Sequence, residues 1–195
     1  MDISVSTLIL AGGKSSRMKQ DKALLEFTGK PLLLKIYDLA QQCTNLVYVV
    51  TPFKYQYKSI LPVNCLFIEE LIPFQSPLIA VVNSLEYLNS EWVLLLACDL
   101  PLLTVDEVKN WLTFLPNLSA ETVAFLPPNT KGWECLCGFY RLEYLTKLQD
   151  FANQGETSLQ KWLKNQIVAP IPIKNNQVLF NCNTLADYQF ILNLN

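Results

Sequence analysis

Short runs of Val, Ile and Leu alternate along the chain with longer stretches in which apolar residues recur every three or four positions. Val5–Leu10, Leu46–Thr51, Asn64–Ile68 and Trp92–Ala97 read as strands buried on both faces, because they are short, rich in Val, Ile and Leu, and do not alternate strictly between apolar and polar. Between them, Pro31–Gln42 sets Leu32, Ile36 and Leu39 on one helical face that Cys43 continues, with Pro31 suited to the first helical position. Pro77–Leu88 repeats the pattern with Leu78, Val81, Val82 and Leu85. Thr104–Leu115 opens with Thr104-Val-Asp-Glu107, a capping box in which Glu107 can reach back to the Thr104 amide. Strand and helix in alternation imply an α/β fold: a mostly parallel sheet, right-handed crossovers and helices on both faces.

The second half is less regular. Thr122–Phe125, Leu136–Tyr140 and Gln177–Phe180 read as strands, and Arg141–Asn153, Ser158–Lys164 and Thr184–Leu192 as helices. Pro127-Pro128 and the polar residues up to Gly132 read as a loop. With no repeat or linker visible, 195 residues that are 51% hydrophobic form a single domain over 1–195.

Charge and residue usage exclude several functions. A net charge of −2 argues against a general nucleic-acid binder, which needs a basic face. There is no polybasic run for a membrane surface, and Trp92–Cys98 is too short to cross a bilayer. The N-terminal residues carry no basic segment or cleavage site of an export signal, so a cytoplasmic protein is expected. Its six cysteines form no CxxC pair and are expected to be reduced and mostly buried, with Cys135 and Cys137 on one strand face. The chain has no histidine, which rules out histidine triads, proton shuttles and zinc sites built on it. Chemistry must rest on carboxylates, Lys, Arg, hydroxyls, thiols, backbone amides or a cation held by oxygens.

Two segments carry chemical information. In the first, the strand ending at Leu10 runs into Ala11-Gly12-Gly13, followed by Ser15, Ser16, Arg17 and then Lys22. In an open α/β sheet, ligands bind beyond the carboxyl ends of strands. Paired glycines there allow close backbone approach and present N–H groups to phosphate oxygens. Arg17 can fork onto a phosphate, and Lys22 can act as a point charge. The segment is neither a GxxxxGK[ST] loop nor a GxGxxG fingerprint, and a plain tight turn accounts equally well for the residues alone. In the second segment, the apolar run from Trp92 ends at Asp99, with Pro101 turning the chain. A carboxylate at the end of a buried strand is costly unless a cation or several donors meet it. It suits a hydrated Mg²⁺, which takes one or two carboxylates plus substrate phosphates and water; a cap on the next turn is the alternative.

Leu10-Ala-Gly-Gly-Lys-Ser-Ser-Arg-Met18, followed by Asp21-Lys22, resembles the signature of sugar-phosphate-type nucleotidyltransferases. Its continuation Lys22-Ala-Leu-Leu-Glu-Phe-Thr-Gly-Lys-Pro-Leu-Leu33 is similar more narrowly to the molybdenum cofactor guanylyltransferases. The resemblance implies a Rossmann-like, nucleotide-diphospho-sugar transferase-like fold. It also implies Mg²⁺-dependent transfer of GMP from GTP to molybdopterin with release of pyrophosphate. Leu10, Ala11, Gly12 and Gly13 would line the GTP site, Arg17 and Lys22 would hold the triphosphate, and Asp99, in an Asp-x-Pro motif, would hold the metal. An acidic position that contacts the nucleoside falls on Glu69 or Glu70, with Glu70 favoured. Phe180-Asn-Cys-Asn-Thr-Leu-Ala-Asp187 is similar to a closing N-x-N-T-x-x-D segment. It makes Asn181 and Asn183 acceptor-side candidates, although Asn183 also suits the cap of the last helix. Glu134–Arg141 resembles an acceptor-side strand. Implied partners are GTP, molybdopterin and other cofactor-assembly proteins or molybdoenzymes.

Such a reaction needs no histidine. An acceptor phosphate is already an anion, so the task is to bring two anionic groups into line and neutralise charge on the α-phosphate and pyrophosphate. The chain departs from the family pattern at Lys19, where a glycine is usual, and at Ser76 and Ala80, where a GPLAG-type turn has glycines. These departures keep two alternatives open: a nucleotidyltransferase for CTP or a sugar phosphate, and a nucleotide binder without turnover.

Overall fold

The computed structural model describes residues 3–13, 18 and 20–194. In chain order, β1 (Val5–Leu10) is followed by a small antiparallel pair, β2 (Glu26–Phe27) and β3 (Lys30–Pro31). Next come α1 (Leu32–Cys43), β4 (Leu46–Thr51), α2 (Lys54–Tyr57), β5 (Leu66–Glu69), α3 (Pro77–Ser84), β6 (Trp92–Ala97) and α4 (Val105–Leu112). The second half holds β7 (Ala124–Leu126), a second small pair of β8 (Pro128–Asn129) and β9 (Gly132–Trp133), and β10 (Cys137–Arg141). It ends with α5 (Leu142–Leu145), α6 (Leu148–Asn153), α7 (Leu159–Leu163), β11 (Val168–Pro170) and α8 (Leu185–Leu192).

Among the described residues, seven strands make one sheet in the order β11-β7-β10-β6-β1-β4-β5. Strands β6, β1, β4 and β5 are parallel, as is the β7–β11 pair, while β10 runs antiparallel between β6 and β7. From β1 the chain moves outward to β4 and β5, then crosses back to lay β6 on the other side of β1. The carboxyl ends of β1 and β6 therefore flank the point where strand order reverses, the place where open α/β sheets bind ligands.

Alternating residues of the central strands supply two cores. Ile9, Val47, Val49, Leu94 and Leu96 pack against Leu33, Ile36 and Tyr37 of α1 and Val108 and Trp111 of α4. Leu8, Val50, Ile68, Val93 and Leu95 pack against Leu78, Val81 and Val82 of α3 and against Leu145, Leu148 and Trp162. All six residues of β6 are buried, as expected of a strand covered on both faces. A third cluster joins Ile191 of α8 and Cys182 to Met18, Leu25, Phe27 and Leu32, seating the C-terminal segment against the residues that lead into α1. No helix among the described residues is long and apolar enough to cross a membrane.

Strands β1, β4 and β6 have the predicted bounds; other elements differ for local reasons. Pro31 precedes α1 as its cap rather than opening it. The helix from Pro77 stops at Ser84 and tightens into a 3-10 turn over Leu85–Tyr87. At Thr104 half of the expected capping box forms: Thr104 accepts from the Glu107 amide, while the full reciprocal box is made by Thr184 and Asp187. β5 lies slightly later than Asn64–Ile68, and β7 slightly later than Thr122–Phe125. Arg141 ends β10, and the expected long helix after it is two short ones. Gln177–Phe180 is not a strand. Asn176–Leu179 forms a 3-10 turn because Asn175 caps it by accepting from the Gln177 amide, and Val168–Pro170 takes the sheet position instead. The expected loop after Pro127 closes the β8–β9 pair. The six cysteines are free, but only Cys137 and Cys182 are buried. Cys135 precedes β10, so it packs on the opposite core from Cys137 rather than sharing its face.

One backbone position in β10 tests this packing. A Cβ on Gly138 would lie 2.7 Å from the Phe125 carbonyl oxygen and 2.8 Å from Leu126 Cδ2, at φ +156°. Backbone cannot yield there without parting β10 from β7. Gly138→Ala is expected to lower stability by about 3 kcal/mol in urea denaturation, at the upper end for overpacking.

Candidate active site

The registers of β1 and β6 place Leu10 opposite Ala97. Both chains leave the sheet at the same level, and Gly12 and Asp99 each lie two residues beyond, on strands about 5 Å apart. The turn after β1 is fastened to β4: the Ala11 amide donates to the Val50 carbonyl at 2.9 Å, and Thr51 Oγ1 donates to the Ala11 carbonyl at 2.9 Å. The Glu70 amide donates to the Thr51 carbonyl at 3.1 Å, which fixes the exit of β5 beside that turn.

Leu10, Ala11, Gly12, Gly13, Lys22, Glu70 and Asp99 line one cleft of about 730 Å³, part of it open to solvent. Asp21, Tyr57, Gln75, Ala80 and Leu136 complete much of its wall. Of the two glutamates, only Glu70 is among the residues lining the cleft. Glu69 faces out and pairs with Lys54 at 3.5 Å, whereas Glu70 is 8% exposed and its carboxylate lies against Gly12. A Cβ on Gly12 would clash with Glu70 Oε2, so the first glycine makes room for this carboxylate. Gly13, also on the cleft wall, has nothing within 4 Å of such a Cβ among the described residues.

Burial pushes the Glu70 carboxyl above its ordinary value. An acid raised in the folded state favours folding at low pH, and that advantage is lost as pH rises from the ordinary glutamate range through the folded value. Glu70→Gln is therefore expected to stabilise the free protein at neutral pH and flatten this loss, while weakening its ligand. Thermal melts from acidic to neutral pH check both stability effects.

Asp99 meets Lys22 across the cleft. Lys22 Nζ donates to Asp99 Oδ2 at 3.3 Å and to Asn183 Oδ1 at 2.6 Å, with the ion pair less than a fifth exposed. Asp99 Oδ1 is buried and has no hydrogen-bond partner among the described residues. That orphaned oxygen fits a cation ligand better than a cap, which would be satisfied by a backbone amide. No group of three or more acidic or thiol side chains gathers among the described residues, so a cation here would complete its shell from substrate and water.

Lys22 opens a 3-10 turn whose cap is Asp21: Oδ1 accepts from the Ala23 amide at 3.0 Å and Oδ2 from the Tyr57 hydroxyl at 2.8 Å. Burial, and then the Asp21 charge, push the Tyr57 hydroxyl well up, so it remains a neutral donor. Burial likewise keeps the Cys98 thiol protonated. Asp21 and Tyr57 were not anticipated as site residues. Asp21 was visible beside Lys22, but no periodicity or motif marks Tyr57 in its four-residue helix.

The two asparagines separate. Asn183 does not cap α8, since Thr184 does, and its side chain instead holds Lys22. Asn181 donates to the Leu179 carbonyl at 3.1 Å and is not among the residues lining the cleft. Arg17, with Ser15, Ser16 and Lys19, lies outside the described residues. Ser76, where a glycine was expected, caps α3 by accepting from the Ile79 amide at 3.4 Å, and Ala80 puts a methyl group on the cleft wall.

A family profile described as "MobA-like NTP transferase domain" matches residues 7–170, which contain both segments that meet in the cleft. The chain belongs to this family. It is 43% identical over 188 residues to a probable molybdenum cofactor guanylyltransferase from a Nostoc species, covering 96% of this chain and 90% of that one. It is 36% identical to a protein of the same name from Synechococcus elongatus, covering 96% and 97%. Among solved structures, the fold matches molybdopterin-guanine dinucleotide biosynthesis protein A from Archaeoglobus fulgidus with a TM-score of 0.79, at 18% identity and 97% coverage of each chain. Family membership makes the chain a nucleotidyltransferase on the nucleotide-diphospho-sugar transferase-like fold expected from its sequence.

Proposed function

We propose that this chain transfers GMP from GTP to the phosphate of molybdopterin, in the cytoplasm, releasing pyrophosphate. The convergence of Gly12–Gly13, Lys22 and Asp99 on one cleft at the strand-order reversal carries the reading. The relatives named molybdenum cofactor guanylyltransferase support its substrates.

In this reading the amides beyond β1 approach the nucleotide, and Glu70 meets the nucleoside. A carboxylate only accepts hydrogen bonds, and the guanine edge offers N1–H and N2–H donors to it. Lys22 stands beside the phosphates as a point charge, with Arg17, five positions earlier in the sequence, as a second cation. A phosphate oxygen of the acceptor attacks the α-phosphorus, a new P–O bond forms, and the bond to pyrophosphate breaks. The acceptor oxygen is already an anion, so no proton has to be removed, which suits a cleft without histidine. Asp99 would hold Mg²⁺, which when bound supplies charge neutralisation for the phosphates.

The test is transfer of label from α-³²P-GTP to molybdopterin with Mg²⁺, run beside CTP and a panel of sugar phosphates. Labelled guanine dinucleotide is expected. Label from CTP, label on a sugar phosphate, or no transfer by folded protein would each replace the proposal with one of the alternatives above.

A further inference from the structure

Asn183, which accepts from the same Lys22 ammonium that meets Asp99, is itself held in place. Its backbone N–H donates to Asp187 Oδ2 at 2.9 Å, and the same oxygen accepts from the Thr184 N–H at 2.7 Å. Thr184 Oγ1 accepts in return from the Asp187 amide at 3.1 Å, closing the capping box of α8. A capping box requires only the bond to the cap residue's amide. The bond to Asn183 is additional, and it falls on the residue whose side chain meets the lysine. One residue earlier, the Cys182 amide donates to the Asp99 carbonyl at 2.9 Å. Residues 182–184 are thus tied at one end to Asp99 and at the other to Asp187. Burial works to raise the Asp187 carboxyl, but the Thr184 side chain, the Asn183 and Thr184 amides and the Lys22 charge outweigh it and hold it below its ordinary value.

We propose that Asp187 is a positioning residue for the transfer reaction: through the Asn183 amide it orients the carboxamide that keeps the Lys22 ammonium at the cleft, beside Asp99. The role rests on the reading above that Lys22 serves the triphosphate. A long flexible lysine would otherwise lose side-chain entropy on meeting each nucleotide, and an anchored acceptor removes that cost in advance.

The test compares Asp187→Ala, Asn183→Ala, the double variant and Thr184→Val. Thr184→Val breaks the cap on the hydroxyl side without touching the Asn183 bond. Two quantities are read: the rate at which acetic anhydride modifies Lys22, by peptide mass spectrometry, and the dissociation constant for GTP with Mg²⁺. Asp187→Ala and Asn183→Ala should each speed Lys22 modification and weaken GTP binding roughly tenfold, the equivalent of one charge-assisted hydrogen bond. The double variant should be no worse than Asn183→Ala alone. Thr184→Val should lower Tm yet leave both readouts at the wild-type level. If Asp187→Ala does not fold, Asp187→Asn, which keeps an oxygen acceptor without the charge, takes its place with a smaller effect in the same direction. Wild-type readouts in the Asp187 variant, additive losses in the double variant, or equal losses in Thr184→Val would overturn the proposal. If the wild-type protein bound no GTP, the functional reading would fall, and Lys22 modification alone would decide the role of Asp187.

Discussion

Asp99→Ala is expected to reduce guanylyl transfer by about a thousandfold or more at saturating nucleotide and Mg²⁺, while the protein stays folded. The size follows from what the carboxylate is asked to supply. Metal stabilisation of charge developing on phosphates amounts to several kcal/mol, and each 1.4 kcal/mol or so is a tenfold change in rate. Folding should survive because the Asp99 backbone keeps its bond from Cys182 and Lys22 keeps Asn183. Steady-state rates at increasing Mg²⁺ give the decisive comparison. If Asp99 served only to cap a turn, the variant would melt earlier and still turn over.

The second large effect is expected at the paired glycines, where two similar substitutions should act differently. In Gly12→Ala the new methyl clashes with Glu70 Oε2 and lies 3.1 Å from Pro52 Cδ. The carboxylate is the free end of a side chain and can swing away, so the stability cost should stay under about 1 kcal/mol. The displaced Glu70 and the methyl on the cleft wall should together weaken GTP binding by roughly a hundredfold, about two lost hydrogen bonds to a charged group. In Gly13→Ala the methyl meets nothing within 4 Å among the described residues, so Tm should not move. Any loss of affinity there reports contact with the nucleotide alone. Paired melts and calorimetric titrations of the two variants separate a demand made by the protein from one made by its ligand.

Much of this arrangement was legible in the residues because the central strands are buried on both faces. Trp92–Ala97 has no polar residue, and Val5–Leu10 and Leu46–Thr51 are rich in Val, Ile and Leu, so β1, β4 and β6 could be bounded and Asp99 set at the sheet's carboxyl edge. Glu69 and Glu70 are adjacent where β5 ends, and spacing cannot rank them. What separates them is the absent side chain at Gly12, contributed by a strand two places away in the sheet. Tyr57 was hidden for the same kind of reason: it reaches the cleft through a hydroxyl bond to Asp21, 36 positions earlier, and carries no local pattern. At the C-terminus the misreading came from turn chemistry. The apolar residues of Gln177–Phe180 suggested a strand, but Asn175 offers the backbone a local cap that a 3-10 turn can use. Asn183 looked like a helix cap until Thr184 was seen to fill that position, freeing the asparagine side chain for Lys22.

The proposed reaction requires that one cleft take a guanine nucleotide together with a divalent cation held at Asp99. Calorimetric titration of the wild-type protein with GTP, in Mg²⁺ and again in EDTA, tests it most directly, with CTP as the comparison. Tight binding of GTP in Mg²⁺, largely lost in EDTA and much weaker for CTP, is the expected result. Equal affinity with and without the cation, or a preference for CTP, would contradict the account.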